Sequence, residues 1–203
     1  MNTPENVPPP LEPEPTRKRW SLWMWLTILP VFFFAAITIL TQLDATAVRE
    51  HALRLNCQSN LKMLALGLAM YADDNNGRTP MDAAIPTLVG CMQLLSNYVR
   101  DAHVVCCPAD TRSDTRPERN YGNLAVANIS YCYVPGLKWN DTSDSPILLD
   151  RINLMAKGSR WPADGNHGGK GGNIAFTDGH VKWCNRLPAA LKDRTGQEFV
   201  IGP

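Results

Sequence analysis

Apolar positions follow three regimes along this chain. From Trp20 to Leu40 they run on with no charged residue, interrupted by Ser21, Thr27 and Thr38 as the strongly polar positions. As a helix rising about 1.5 Å per residue, this stretch covers roughly 32 Å, enough to cross a hydrocarbon core of about 30 Å. The interior Pro30 is tolerated there as a local kink. The pattern then turns amphipathic. Leu43, Ala47, Leu55, Leu61, Leu64, Leu68 and Tyr71 recur near the helical period, while Arg49, Glu50, Arg54, Gln58 and Lys62 mark the other side. No proline occurs between Pro30 and Pro80, so the economical expectation is one helix from about Trp20 to about Asp73. The turn cluster Asp74-Asn75-Asn76-Gly77 stops it. A separate amphipathic helix after the apolar run is the alternative.

Beyond residue 76 the segments shorten. Ala84 to Val99 reads as a helix with Leu88, Met92, Leu95 and Tyr98 on one face. Ile129 to Val134 is β-branched and aromatic and ends at Pro135-Gly136, which predicts a strand and a turn; Ile147 to Asp150 predicts a second strand. The clearest local signal is a hairpin over 172–184, with Asp178-Gly179 as a type I′ turn. Pairing Thr177 with His180 sets Phe176 opposite Val181 and Ile174 opposite Trp183, giving one apolar face, with Ala175, Thr177, His180 and Lys182 on the other.

The flanks give the apolar run a direction. Arg17, Lys18 and Arg19 precede it and Trp20, Trp23 and Trp25 crowd its start, which places the N-terminus in the cytoplasm and the bulk of the chain outside. A cleaved secretory signal is the competing reading, since Ala45-Thr46-Ala47 has the small-x-small form of a cleavage site after Ala47; the run exceeds the usual apolar core of about 7 to 15 residues, which favours an anchor. The organisation expected is a Pro-rich cytoplasmic tail with a basic flank (1–19), a transmembrane helix (20–40), its extracytoplasmic continuation (41–75) and a small α+β head (76–203). The tail carries prolines and glutamates and little to bury.

A net charge of +1 removes the electrostatic case for nucleic acid. All six cysteines, Cys57, Cys91, Cys106, Cys107, Cys132 and Cys184, follow the apolar run. In an oxidising compartment an even count suggests disulfides, with fifteen possible pairings; the alternative is small buried hydrophobes. Zinc prefers CxxC-type spacings, and the adjacent Cys106 and Cys107 are poor joint ligands for one ion.

Three stretches together resemble a bacterial family. They are Cys57-Gln-Ser-Asn-Leu-Lys62 running on to Met70-Tyr-Ala-Asp-Asp-Asn-Asn-Gly-Arg-Thr-Pro80, then Cys107-Pro108, then Asn166-His167-Gly-Gly with Asn173-Ile-Ala-Phe-Thr-Asp-Gly-His-Val181. The order is similar to that of prepilin-like proteins ending in a His-x9-Asp-Gly motif, relatives of type II secretion pseudopilins. The resemblance covers roughly residues 41 to 184. It implies a pilin-like α+β fold, a membrane-inserted helix continuing into a small head, and a structural role, with Cys107, Pro108, His167, Asp178, Gly179 and His180 as structural-motif residues. Two departures matter. Ten residues separate His167 from Asp178, and Arg19-Trp-Ser-Leu-Trp-Met24 stands where that family has a glycine followed by Phe-Thr-Leu-x-Glu. Without that glycine and glutamate, the expectation is a chain that prepilin peptidase does not process.

Candidate chemistry is sparse. His167, Asp178 and His180 form the one cluster that suggests a divalent metal, imidazole and carboxylate being ordinary ligands. Asp178 is also required by the turn, and His180 stands beside it. The run Gly168 to Gly172 lacks P-loop spacing and supplies flexible backbone instead. Asp73 to Gly77 lacks the alternating ligands and distal glutamate of a calcium loop. No serine or cysteine lies in a recognisable nucleophile context. The expectation is therefore a non-enzymatic, single-pass pseudopilin-like structural or assembly component of a bacterial inner membrane, without cofactor, its head periplasmic. Its partners are the lipid bilayer and other pilin-like subunits or secretion components. The alternative is a tethered extracytoplasmic ligand- or metal-binding module.

Overall fold

The computed structural model describes residues 22–82, 86–112, 114–139, 144–152, 160–187 and 201–203. The expected tail (1–19) lies outside them. Helix α1 runs from Leu22 to Asp74, close to the predicted span. The chain divides into two units, Met1–Thr46 and Ala47–Pro203.

In the first unit, α1 is the one described helix long and apolar enough to cross a membrane. Leu26, Leu29, Phe32, Phe33 and Phe34 are all exposed. Pro30 sits inside the helix, where it removes one backbone donor. Thr27 and Thr38 return their hydroxyls to carbonyls three residues back, Met24 at 3.1 Å and Ala35 at 2.8 Å.

In the second unit, α1 buries Cys57, Leu61, Leu64, Ala65, Leu68 and Ala72, a stripe of helical period. The predicted stripe overreaches at its start: Ala47 and Leu55 are exposed. The buried face begins at Cys57 because sheet and loops cover the helix from there on. Gly67 sits where an added Cβ would lie 2.3 Å from Val99 Cγ2. At the end of α1, Gly77 N donates to Ala72 O at 2.7 Å, with Asn76 and Gly77 at φ 58° and 76°. Asn75 adds a side-chain bond to Tyr71 O at 2.7 Å. The turn cluster thus satisfies the last carbonyls of the helix, as a left-handed C-terminal cap does.

The helix expected over Ala84–Val99 is shorter. Helix α2 spans Leu88–Gln93, and hydrogen-bonded turns continue to Val99. Residues 83–85 lie outside the described set. Thr87 has extended backbone and starts the helix by accepting Gly90 N at 3.0 Å. Leu88, Met92 and Leu95 are buried as expected.

The sheet is antiparallel in the order β1-β2-β3-β4: Tyr131–Tyr133, Pro146–Asp150, Gly172–Phe176 and Val181–Cys184. Tyr131 faces Asp150 and Tyr133 faces Leu148; Leu148 in turn faces Ala175 and Leu149 faces Ile174. Alternation then sorts two faces. Tyr131, Tyr133, Leu148 and Ala175 join the core with α1. Cys132, Leu149 and Ile174 join Ile152 and Trp161 in a second cluster.

The hairpin differs from expectation by one residue. Ala175 pairs with Val181 and Asn173 with Trp183, and Phe176 N donates to His180 O at 3.0 Å. Its loop therefore holds three residues. Gly179 has φ 85° whereas Asp178 does not have positive φ, so the turn is a type I turn followed by a left-handed glycine. The slip reassigns the faces. Asn173, Ala175, Val181 and Trp183 share one face, while Ile174, Phe176, His180 and Lys182 share the other. The register carries Val181 and Trp183 to the face that holds Asn173 and Ala175, where Trp183 packs against His167 and Arg54.

Leu64→Ala should lower the stability of detergent-dispersed protein by roughly 2 to 5 kcal/mol, read by urea denaturation. Leu66→Ala, on the exposed side at 63%, should stay within about 0.5 kcal/mol.

Candidate functional site

The site is assembled where α1, the Cys106-Cys107-Pro108 corner, the end of β2 and the glycine loop before β3 meet. A 3-10 turn over Ala102–Val105, capped by Asp101, delivers the corner. Pro108 forces extended backbone on the residue before it, and Cys107 joins Cys57 of α1 in a disulfide across 50 residues. Cys106 turns away, its Sγ 3.8 Å from the Ser130 hydroxyl. Among the described residues Cys91, Cys106 and Cys132 are buried free thiols, and Cys184 is a half-buried one. Both meanings of the cysteines therefore hold, one disulfide and three small buried side chains.

Asp150 ends β2 at 1% exposure. A carboxylate so placed needs donors, and its neighbours supply them. Asn166 Nδ2 donates to Oδ1 at 2.9 Å; Asn173 donates to Oδ2 from its backbone N at 2.6 Å and its Nδ2 at 3.2 Å. His167 Nε2 stands 3.3 Å from Asp150 Oδ2 and 4.0 Å from Cys107 Sγ. Asn166 Nδ2 also reaches Ser130 O at 2.8 Å, tying the glycine loop to the start of β1.

The loop that carries His167 is shaped by close approach. An added Cβ at Gly171 would lie 2.4 Å from the Trp183 ring, and one at Gly172 2.4 Å from the Trp161 ring. Those glycines are required by two indoles, a stricter demand than general flexibility. Trp183 packs edge-on to His167 at 5.1 Å and lies under the Arg54 guanidinium at 3.6 Å. Lys170 pairs with Glu50, which also meets Arg54 at 3.5 Å.

Beside this node sits a second buried carboxylate. Arg112 donates to Asp110 from Nε and Nη2, the latter at 2.8 Å, and Arg151 lies 3.8 Å away. Burial pushes the Asp110 carboxyl up, but the hydrogen bonds from Arg112 and Ser130 and the Arg112 charge together hold it below the usual carboxylate range.

The structure divides the trio read from the sequence. His167 belongs to the buried node. Asp178 and His180 occupy the exposed hairpin tip, where Asp178 Oδ1 accepts His180 N at 3.0 Å and faces His180 Nδ1 at 2.5 Å. His180 stacks on Phe176 at 4.2 Å. The backbone hydrogen bond from His180 heads the causes that lower the Asp178 carboxyl. These contacts shape a turn. Among the described residues, the donors that gather within reach of one ion are Cys57, Cys107, Asp150 and His167. Sequence reasoning missed Asp150 as a member. The available signal was an ionisable residue closing the apolar run Ile147-Leu-Leu-Asp150.

No family model, no curated protein and no solved structure matches this chain. The class that fold and site define is an α+β head with a four-stranded antiparallel sheet, packed on the second half of a long N-terminal helix and pinned to it by a cystine.

Asp150→Ala should cost roughly 3 to 5 kcal/mol by stranding buried donors, whereas Asp178→Ala should cost less than about 1 kcal/mol; chemical denaturation separates them. Because the folded-state Asp110 carboxyl is depressed, its contribution to stability is fully present above its ordinary value of 3.8 and is lost as pH falls through the lower folded value. Thermal melts stepped from about pH 6 to about pH 3 should therefore show a smaller acid loss in Asp110→Asn than in the parent.

Proposed function

We propose that this chain is a single-pass, helix-anchored structural or assembly component of a bacterial cell envelope, pilin-like in plan, with its head on the extracytoplasmic side. The observation that carries the reading is the change of environment along α1. Its first half presents Leu26, Leu29, Val31, Phe32, Phe33 and Phe34 uncovered, and its second half buries Cys57, Leu61, Leu64 and Leu68. An apolar helix of that length without a protein cover is matched to lipid. The motif order resembling prepilin-like proteins supports the pilin-like plan. The disulfide is in keeping with an oxidising compartment.

The start of the helix supports an anchor without pilin processing. No glycine precedes the apolar run and no glutamate lies within it. A polymerising pilin places that carboxylate in the membrane against a neighbour's amino terminus, and a carboxylate there without a partner is costly. Retaining the tail and the anchor is the consistent arrangement. The pairing of His180 Nδ1 with Asp178 Oδ1 at the hairpin tip supports a turn-shaping role for those two residues over the alternative of a tethered metal module that uses them with His167.

The test is fractionation of the native host followed by intact-mass analysis and mild crosslinking. The expected result is a protein that resists alkaline extraction from inner membranes, keeps residues 1–19, carries no N-methylated residue near position 20 and crosslinks to envelope-assembly subunits. Recovery in the soluble periplasmic fraction, cleaved after Ala47, would sink the anchor; an N-methylated terminus would overturn the claim about processing.

A further inference from the structure

Four side chains of three ligand types converge on one buried point. The donor atoms of Cys57, Cys107, Asp150 and His167 all lie within 4.8 Å of one another. Each comes from a different segment, so no short spacing in the sequence announces them. Their separations can be held against a tetrahedral zinc centre. Zn–S bonds of about 2.3 Å and Zn–N or Zn–O bonds of about 2.0 to 2.1 Å place two light donors about 3.3 Å apart, sulfur and nitrogen about 3.6 Å apart, and two sulfurs about 3.8 Å apart. His167 Nε2 and Asp150 Oδ2 are 3.3 Å apart, and His167 Nε2 and Cys107 Sγ 4.0 Å. The bonded sulfurs lie closer than the pattern, and donor separations of up to 4.8 Å exceed it, so closing the four donors on one ion also requires a small inward shift.

We propose that, with the Cys57–Cys107 bond reduced, Cys57, Cys107, His167 and Asp150 form a four-coordinate site for a zinc-type divalent cation. Cystine and metal are then alternative occupants of the same node. Two thiolates, an imidazole and a carboxylate suit zinc better than the hard, oxygen-seeking cations. The surroundings fit a cation as well. Asn166 and Asn173 orient Asp150 through their donors, while the buried Oδ1 of each has no hydrogen-bond partner among the described residues. Outer contacts that fix a ligating carboxylate in this way are a regular feature of metal sites.

The exchange balances with a dithiol as reductant. Thiolate attack breaks the Cys57–Cys107 bond, two thiols form, and the reductant closes into its own disulfide, having given two electrons and two protons. The cation then displaces both thiol protons to solvent and takes His167 as neutral imidazole through Nε2. Exchange with a disulfide oxidant, which takes the two electrons, and two protons from solvent, to become a dithiol, restores the cystine and releases the ion. This inference does not depend on the membrane reading, because every ligand lies in the Ala47–Pro203 unit.

The experiment uses the full chain in detergent, stripped of metal and reduced under argon with a phosphine, which is oxidised to its oxide with oxygen from water. Cobalt(II) is added first and zinc(II) after it. The expected result is stoichiometric uptake of one cobalt by reduced protein, with thiolate-to-cobalt charge transfer and the visible bands of a tetrahedral centre, both bleached by zinc. Unreduced protein should give neither. Cys57→Ser with Cys107→Ser should abolish the charge-transfer band. His167→Ala should weaken cobalt binding by more than the roughly 10- to 100-fold expected for an outer contact. A variant with Cys91, Cys106, Cys132 and Cys184 all changed to Ala should keep the spectrum. If circular dichroism shows that reduction alone unfolds the head, zinc must refold it. The proposal is overturned by equal binding without reduction, by charge transfer that survives loss of both cysteines, or by reduced protein, folded or not, that takes up no stoichiometric metal.

Discussion

The head depends on how a carboxylate is kept inside it. Asp150 stands at the end of a central strand with almost no contact with water, and an isolated charge there would be untenable. Meeting its demand fixes several other things at once. Asn173 must point to the same face of the sheet, which ties β3 to β2 in register. Asn166 and His167 must arrive from above, which requires the tight glycine path between two indoles. Cys57 and Cys107 then clamp α1 beside them. By the chain-entropy account a cross-link over about 50 residues is worth about 4 kcal/mol. Node and clamp together hold the amphipathic half of the helix on the sheet.

The motif that resembles the His-x9-Asp-Gly pattern takes on a structural meaning. Its histidine belongs to the buried node and its Asp-Gly turns the hairpin at the far end of β3, Gly172–Phe176. The spacer is therefore a strand with its approach loop. The approach loop is where the backbone is most permissive, since Gly168, Gly169 and Gly171 have positive φ.

Much of the architecture was legible in the sequence because it rests on local rules. The long helix, its Asp-Asn-Asn-Gly stop and the strands at Ile129–Val134 and Ile147–Asp150 follow from periodicity, caps and turn residues. The failures share a cause. Helix α2 was overextended because its apolar period continues through turns that follow it. Leu55 was placed inside because period alone does not say where a cover begins. The hairpin register differs by one because a type I turn with a left-handed glycine fits Thr-Asp-Gly as well as a two-residue turn fits Asp-Gly, and the observed one puts Trp183 against His167 and Arg54, contacts that local rules do not reveal. The site itself was half visible: His167 was found, but its partners come from α1, the Cys107 corner and β2, and only the folded chain brings them together.

The disulfide carries a consequence for biogenesis. Cys57 is joined to Cys107, so its partner is the third thiol to follow it, after Cys91 and Cys106. A chain oxidised in order of synthesis would first link Cys57 to Cys91, and reaching the native link would then require thiol exchange. Folding ends that competition. Burial pushes the Cys91 thiol up to about 12 and that of Cys132 up to about 11, and it raises Cys106 as well. Thiols so rarely ionised are poor attackers. The fold that selects the native bond thus also disarms the neighbours that could reopen it.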